Sequence, residues 1–256
     1  TYTPGNWRFD VALLKNDERT WGDGYSSGDK DTYSANVIGY DADPYVVGQD
    51  SDGNDITSTS RNISATNTLA GRAEYTYQVS DGFTLKPGVS VKYGQLDGEM
   101  SGNSEYAASK GDGDYYAAAA HLVADYDRWN VQLQYTDWEY DLDNPNAETI
   151  RYGYFGIDDP APLSAQAITA NVAYTLPVEW GPVSSLTFYN DHSRIFDKNA
   201  DLEETWMNVT GVSVVAGGVF AYIDYVMAEN QPFVGGSLAG DGETNSRFNI
   251  NVGYYF

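Results

Sequence analysis

Apolar and polar residues alternate with a period of two along much of the chain, as they do in a strand with one apolar and one wet face. In the C-terminal segment, one face carries Phe248, Ile250, Val252, Tyr254 and Phe256, and the other carries Asn249, Asn251 and Gly253. Similar alternation predicts ten further strands, at about 7–15, 32–41, 67–79, 83–95, 115–127, 129–140, 164–176, 183–191, 205–215 and 219–228. The pattern therefore predicts an all-β chain of about eleven strands, each near the roughly 9 to 11 residues that a tilted strand needs to cross a bilayer.

The connections between these strands alternate between short turns and long polar loops. Short turns are predicted at 80–82, 127–128, 177–182 and 216–218, and long acidic loops at about 96–114, 141–163, 192–204 and 229–246. Gly, Asp and Pro supply the dihedral angles that tight turns need. Outer-membrane barrels place short turns on one side and long loops on the other, and a soluble β-sandwich has no reason to do so. We therefore predict an antiparallel transmembrane β-barrel, with residues 1–256 as a single domain.

Eleven strands conflict with the even strand numbers of bacterial single-chain barrels. If the C-terminus is periplasmic, counting back places the start of the first strand on the extracellular side. Two explanations stay open. Either a twelfth strand lies within the stretch from Asp43 to Thr66, or the chain is the C-terminal part of a larger barrel and lacks N-terminal strands.

Composition is compatible with a barrel. Apolar residues make up 41% of the chain, and no run of about 18 of them exists from which a membrane-spanning helix could form. The chain has 22 Tyr and 6 Trp, residues that suit a surface with an apolar end and a wet end. A Tyr-rich secreted β-sandwich is the alternative, and the sorted connections argue against it.

Charge and cysteine content exclude several functions. Asp and Glu number 37 against 14 Lys and Arg, giving a formal net charge of -23. This excess of acid excludes nucleic acid as a partner and suggests divalent cations, a lipopolysaccharide environment or a saline habitat. Cysteine is absent, so no disulfide, thiolate chemistry or Cys-ligated zinc is available.

Three segments carry a resemblance to a known family. They are Asn230-Gln-Pro-Phe-Val-Gly-Gly236 followed by Arg247 to Phe256, Trp180-Gly-Pro182 leading into Leu186-Thr-Phe-Tyr-Asn190, and Tyr40-Asp-Ala-Asp-Pro44 before Gly48-Gln-Asp50. They resemble the C-terminal portion of outer-membrane porins from marine gammaproteobacteria, and the terminal Phe256 resembles the signature by which barrels are recognised for insertion. The resemblance implies a barrel of about sixteen strands, often trimeric, with a long loop that narrows the pore. It implies no particular substrate.

Inward-facing residues would determine the function of such a barrel, and the alternation identifies them if the apolar positions face lipid. The charged candidates for lining the pore are Arg8, Asp10, Arg72, Glu74, Lys86, Lys92, Asp125 and Asp224. Arg8 with Asp10 and Arg72 with Glu74 either bias ion selectivity or neutralise each other along the wall. Lys86 and Lys92 have no acidic partner on their own strand, which makes them the better candidates for contacting anionic solutes.

Aromatic residues near predicted strand ends predict girdles at the membrane interfaces. These residues are Trp7, Trp129, Trp180, Trp206, Tyr254 and Phe256. Trp138 and Tyr140 share a face with the polar Gln132 and Gln134, so a sugar-stacking track inside the pore is the alternative for those two.

Catalysis and metal binding find little support in the sequence. His192 and Ser193 are adjacent, so they face opposite sides of a strand and cannot form a base and nucleophile couple. His121 is expected to line the lumen. The segment from Asp50 to Asp55 supplies oxygen ligands but lacks the Gly and Glu positions of a calcium loop. No catalytic residue, metal site or cofactor is predicted.

The expected function is therefore passive diffusion of small hydrophilic solutes or ions through a porin in a bacterial outer membrane. The expected partners are outer-membrane lipid and lipopolysaccharide, the barrel-assembly machinery through the strand ending at Phe256, and two further copies in a homotrimer. The alternative is a non-conducting structural or binding barrel that serves as adhesin, phage receptor or partner scaffold. Single-channel conductance distinguishes the two.

Overall fold

The computed structural model describes residues 1–14, 41–49, 55–60, 63–98, 112–143, 147–154 and 157–255. In these ranges the chain is all-β, with one 3-10 turn at Asn199–Asp201. Its strands are β1 (Trp7–Leu14), β2 (Asp41–Gln49), β3 (Asp55–Ser60), β4 (Ile63–Tyr75), β5 (Tyr77–Ser80), β6 (Phe83–Gly98), β7 (Gly113–Tyr126), β8 (Trp129–Leu142), β9 (Thr149–Tyr154), β10 (Ile157–Pro162), β11 (Ser164–Trp180), β12 (Val183–Phe196), β13 (Thr205–Ala216), β14 (Val219–Glu229) and β15 (Thr244–Tyr254). Among the described residues, no helix has the length and apolar character to cross a membrane.

Ten strands form one antiparallel sheet in the order β1-β4-β6-β7-β8-β11-β12-β13-β14-β15, and β5 continues β4 alongside β6. The prediction of a large antiparallel all-β structure is thus confirmed. Ten of the eleven predicted strands lie in this sheet as the structure describes it. The predicted strand at 32–41 lies outside the described residues except for Asp41. Within the described part of the chain no ladder joins β1 to β15, so closure into a barrel stays a prediction.

Short turns and long connections of the described sheet lie at opposite ends, as the sequence predicts. β1 begins and β15 ends at one end of the large sheet. The short turns that join its neighbouring strands in the described residues lie at the same end, which we call the short-turn end. The opposite end, the long-loop end, carries the connections between β6 and β7, β8 and β11, β12 and β13, and β14 and β15. Asp127 has a φ of 52° in its two-residue turn, a left-handed conformation that Asp tolerates better than most residues.

Two predicted connections need correction. β11 continues through Pro177 to Trp180, so the turn predicted at 177–182 reduces to Gly181-Pro182. Pro177 is tolerated in the strand because the register shifts between Pro177 and Trp180, and an irregular ladder does not need the missing N–H. The predicted loop at 141–163 contains a hairpin of β9 and β10.

A second hairpin, of β2 and β3, occupies much of the stretch in which a twelfth strand was suspected. β1 pairs directly with β4, so this hairpin is an excursion from the large sheet and adds no strand to it. The parity conflict of the sequence therefore does not arise in the described part of the sheet.

Little apolar surface is buried, and what is buried lies at the long-loop end. Leu96, Tyr115, Leu142 and Ile150 form one small cluster there, with Ala65 and Leu163 among the side chains packed around it. The rest of the sheet has no opposing layer in the described residues, so each of its two faces meets its surroundings directly.

Candidate functional site

The sheet has a polar face and an apolar face, because residues directly opposite each other on neighbouring strands share a face. Asp10 lies opposite Arg72, which lies opposite Ser90 on β6. Following the ladders places all eight predicted pore-lining residues on this polar face: Arg8, Asp10, Arg72, Glu74, Lys86, Lys92, Asp125 and Asp224. His121, Gln132, Gln134, Trp138 and Tyr140 lie on the same face.

The polar face is concave. A cavity of about 390 Å³ on this face is lined by residues of six adjacent strands, from Arg72 on β4 to Asp191 on β12. In a flat sheet the outer two of six strands would lie about 24 Å apart, because neighbouring strands are spaced by about 4.8 Å. Residues of all six strands nevertheless line this one cavity, which indicates that the sheet curves around its polar side.

Large apolar side chains are exposed on the opposite, convex face. Every strand of the large sheet except β13 contributes to it, with Leu13 82% exposed on β1 and Val252 69% exposed on β15. The exposed members of this apolar face include Phe9, Val11, Leu69, Val89, Val91, Leu133, Ile168, Val172, Phe188, Ile223, Met227, Phe248 and Ile250. No described element covers them.

Arginine and carboxylate side chains pair within two strands of the polar face. Arg8 Nε donates to Asp10 Oδ2 at 2.8 Å, and Arg72 Nη2 donates to Glu74 Oε2 at 2.5 Å. His121 Nε2 lies 3.2 Å from both Arg72 Nη2 and Glu74 Oε2. The neutralising pairs that the sequence left as one of two interpretations are therefore present, and sequence reasoning did not find the third member, His121.

Lys86 has no acidic partner on its own strand, but it has one on the neighbouring strand. Its Nζ lies 3.1 Å from Oδ2 of Asp125 on β7, and Asn130 donates to the other oxygen of that carboxylate at 2.6 Å. The pattern along one strand does not reveal a partner across the ladder, and this partner weakens Lys86 as a candidate for contacting anionic solutes. Asp224 also has a partner, since the Tyr189 hydroxyl donates to it from β12.

Lys92 is different, because within the described residues no carboxylate lies within salt-bridge distance of it. Its Nζ lies 4.9 Å from the centre of the Tyr115 ring, a cation–π arrangement. The Tyr115 hydroxyl is hydrogen-bonded to Oγ1 of Thr68 at 2.8 Å, and both residues are buried. Lys92 thus lies on a fixed aromatic ring and has no carboxylate partner among the described residues.

Two glycines let rings lie flat against the polar face. A Cβ at Gly94 would come within 2.6 Å of the Tyr115 ring, and one at Gly88 would overlap the His121 imidazole. Each ring therefore occupies the space above a glycine on the neighbouring strand. Flat rings project less far from the wall, which leaves the concave side open.

Aromatic residues gather at the short-turn end. Trp7, Trp129, Trp180 and Tyr254 are each at least 46% exposed there, and Trp7 lies 4.8 Å from the ring centre of Tyr75. Trp206 lies at the long-loop end instead, where its Nε1 donates to Glu229 Oε2 at 2.9 Å. Phe256 lies outside the described residues.

A polar patch interrupts the apolar face on β12 and β13. It consists of Asn190, His192, Asn208 and Thr210, which neighbour one another across the ladder. Asn190 Nδ2 donates to Asn208 Oδ1 at 3.0 Å and to Thr210 Oγ1 at 2.8 Å. Sequence reasoning did not find this patch, because it becomes apparent only when the two strands are set in register.

The connection between β12 and β13 packs against the connection between β14 and β15 at the long-loop end. Lys198 Nζ donates to Thr205 Oγ1 at 2.8 Å and to the Leu238 carbonyl at 2.7 Å. Burial there lowers the pKa of Lys198 to about 8, although nearby carboxylates oppose the shift. Asn230 is fully buried and accepts the N–H groups of Asp241 and Gly242, both at 2.8 Å. These loops are held by specific polar contacts.

Groups for covalent or metal chemistry do not come together in the described residues. His192 lies opposite Asn208 while Ser193 lies opposite Met207, on the other face. No group of three or more potential metal ligands occurs among the residues that the structure describes. Most of the Asp50 to Asp55 segment lies outside those residues. Comparison of the chain with protein-family models, curated proteins and solved structures finds no match.

Proposed function

We propose that the chain forms a β-barrel of a bacterial outer membrane, in which small hydrophilic solutes or ions diffuse passively along the polar face. The division of one curved sheet into a convex apolar face and a concave polar face supports this proposal. Burial of apolar surface stabilises a protein by about 25 cal/mol per Å², and an apolar face exposed to water would forgo that free energy. Extended apolar patches of this kind are rare on soluble monomers. Lipid against the convex side removes that cost, and water on the concave side solvates the charges.

The aromatic residues of the short-turn end fit the membrane interface on the proposed periplasmic side. Trp and Tyr rings have an apolar body and a polar tip, which suits the boundary between acyl chains and headgroups. Acidic loops at the opposite end suit the divalent cations of a lipopolysaccharide leaflet. Insertion would depend on the assembly machinery that receives the C-terminal strand, β15 and the residues up to Phe256.

Strand directions support closure of the barrel. Ten antiparallel strands leave β1 and β15 running in opposite directions, so their free edges are able to pair with each other or with an even number of further strands. Closure would satisfy backbone N–H and C=O groups that hydrocarbon leaves without partners.

The polar patch supports contact between copies, as expected for a homotrimer. Lipid tails offer no hydrogen bonds to the exposed His192 and Thr210, whereas an equivalent surface of a second copy offers both donors and acceptors. Packing of two protein surfaces over the patch would exclude it from hydrocarbon.

A non-conducting barrel remains a second candidate because of the number of strands. A barrel of about eight strands is filled by its own side chains, and aqueous channels belong to barrels of about 16 to 18. Direct pairing of β1 with β15 would give ten strands and a narrow lumen, suited to a binding or scaffold role.

Conductance in planar bilayers separates the two candidates. We expect the refolded chain to give discrete single-channel currents in a simple salt solution. We expect Ser90→Trp to lower the unitary conductance, because residue 90 lies on the polar face, and the control Val89→Trp, on the apolar face, to leave it unchanged. A correctly folded protein without currents would contradict the porin proposal and favour the non-conducting barrel.

A further inference from the structure

Four uncharged polar side chains form a square on the polar face of β8 and β11. Gln132 lies directly opposite Asn171, and Gln134 lies directly opposite Thr169. All four line the cavity of about 390 Å³ on the concave side. The residues between these pairs, one on each strand, line it as well, so the cavity extends over the middle of the square.

The two amide side chains of β8 lean away from each other. Gln132 Nε2 donates to Asn130 Oδ1 at 2.8 Å, towards the short-turn end. Gln134 Nε2 donates to Thr136 Oγ1 at 3.1 Å, towards the long-loop end. The space between the two amides is therefore kept open, and the volume of the cavity accommodates a small organic molecule.

The amides of the square retain hydrogen-bonding groups for a ligand. Asn171 also directs its amide outwards, since its Nδ2 donates to Asp191 on β12. A side-chain amide has two N–H groups and a carbonyl oxygen. The bonds described use one N–H of each amide, and within the described residues no group donates to the carbonyl oxygens of Gln132, Gln134 or Asn171. Each amide thus keeps a donor and an acceptor, and the Thr169 hydroxyl is able to act as either.

Charged groups border the square but are engaged with other partners. His121, on β7 at one edge of the square, lies 3.2 Å from Glu74 Oε2. The Arg72 guanidinium donates to the same carboxylate. Asp191 is the one carboxylate that lines the cavity among the described residues, and it already accepts a hydrogen bond from the square. An ion over the square would lose hydration without gaining a free opposite charge, which is costly.

We infer that the square is a binding site for small neutral polyhydroxylated solutes, of the size of one sugar unit. A sugar hydroxyl both donates and accepts, as a side-chain amide does. Neighbouring corners of the square lie about 5 Å apart across the ladder and about 6.8 Å apart along a strand, which is within the reach of hydroxyls on one sugar ring. The inference rests on the proposed function and deepens it by naming a class of solute.

Ligand-observed NMR titration of the refolded protein, in a detergent without a sugar headgroup, tests the site without requiring an open channel. The probes are glucose, cyclohexanol, glucuronate and glucosamine, which vary the hydroxyl groups and the charge separately. We expect glucose to bind more tightly than the other three, because a site built for several hydroxyls disfavours a ring that lacks them. This comparison uses the unchanged chain and so does not depend on the folding of a variant.

Two variants locate the site. We expect Gln134→Leu to weaken glucose binding about tenfold, because a donor and an acceptor are lost together. Gln95→Leu is the matched control, because it makes the same substitution at an exposed position on the apolar face of β6. We expect it to change glucose affinity less than twofold.

Three outcomes would overturn the inference: absence of glucose binding, binding of any other probe as tightly as glucose, or equal losses in the two variants. Glucose binding without channel currents would defeat only the porin proposal. Channel currents without glucose binding would defeat only this site.

Discussion

Lys86 and Lys92 lie on one face of one strand, yet their surroundings differ because their neighbours across the ladder differ. The pairs Arg8 with Asp10 and Arg72 with Glu74 were predictable, since residues two apart in a strand share a face. The pair of Lys86 with Asp125 was not, because it depends on the register between β6 and β7. Sequence alternation identified the polar positions, and register determined which of them are neutralised.

A substitution at Gly94 tests whether the Tyr115 ring needs the space that the absent side chain of Gly94 leaves free. A Cβ there would lie 2.6 Å from the Tyr115 ring. We expect Gly94→Ala to lower the free energy of unfolding by about 1 to 3 kcal/mol, because overpacking forces the ring and its neighbours to move. Urea titration of the folded protein in detergent micelles measures the change.

Gly71→Ala is the control for this prediction, because Gly71 also lies in a strand of the large sheet. The nearest side-chain atom to its Cβ would be Val91 Cγ2 at 3.8 Å, an ordinary contact. We expect no loss of stability there. Equal effects at the two positions would show that the Tyr115 ring does not need the space above Gly94.

At the scale of elements, strand positions were largely predictable and their exact ends were not. Ten predicted strands reappear in the large sheet with ends shifted by a few residues, since alternation and turn residues are local signals. The extension of β12 to Phe196 and the hairpin of β9 and β10 lie inside predicted loops. Charged residues there interrupt the alternation of apolar and polar positions, so the sequence pattern does not predict these strands. The polar patch was missed for a related reason, because its members come from two strands.

Contact between copies at the polar patch is testable because the chain has no cysteine. We expect His192→Cys to yield covalent oligomers when the protein in lipid vesicles is treated with a long, flexible bis-maleimide. Val89→Cys, 55% exposed on the apolar face of β6, is the control and is expected to stay monomeric on a denaturing gel. Equal cross-linking of both variants, or of neither, would contradict an interface at the patch.

At the scale of the whole molecule, the sorting of residues into two faces follows from the sequence, whereas the curvature does not. Period-two alternation gives each strand an apolar and a polar side, and antiparallel pairing aligns those sides across the sheet. The direction and degree of curvature depend on twist and stagger accumulated over ten strands. The resemblance to porins implied sixteen strands, and the described sheet has ten.

Cysteine scanning along β6 tests the central claim, that the polar face meets water and the apolar face meets lipid. Single cysteines at Val89, Ser90, Val91 and Lys92 are introduced into the cysteine-free chain, which is then folded into vesicles and treated with a charged, water-soluble maleimide. We predict labelling that alternates along the strand, rapid at positions 90 and 92 and slow at 89 and 91. Rapid labelling at all four positions, or at 89 and 91 alone, would contradict the membrane barrel.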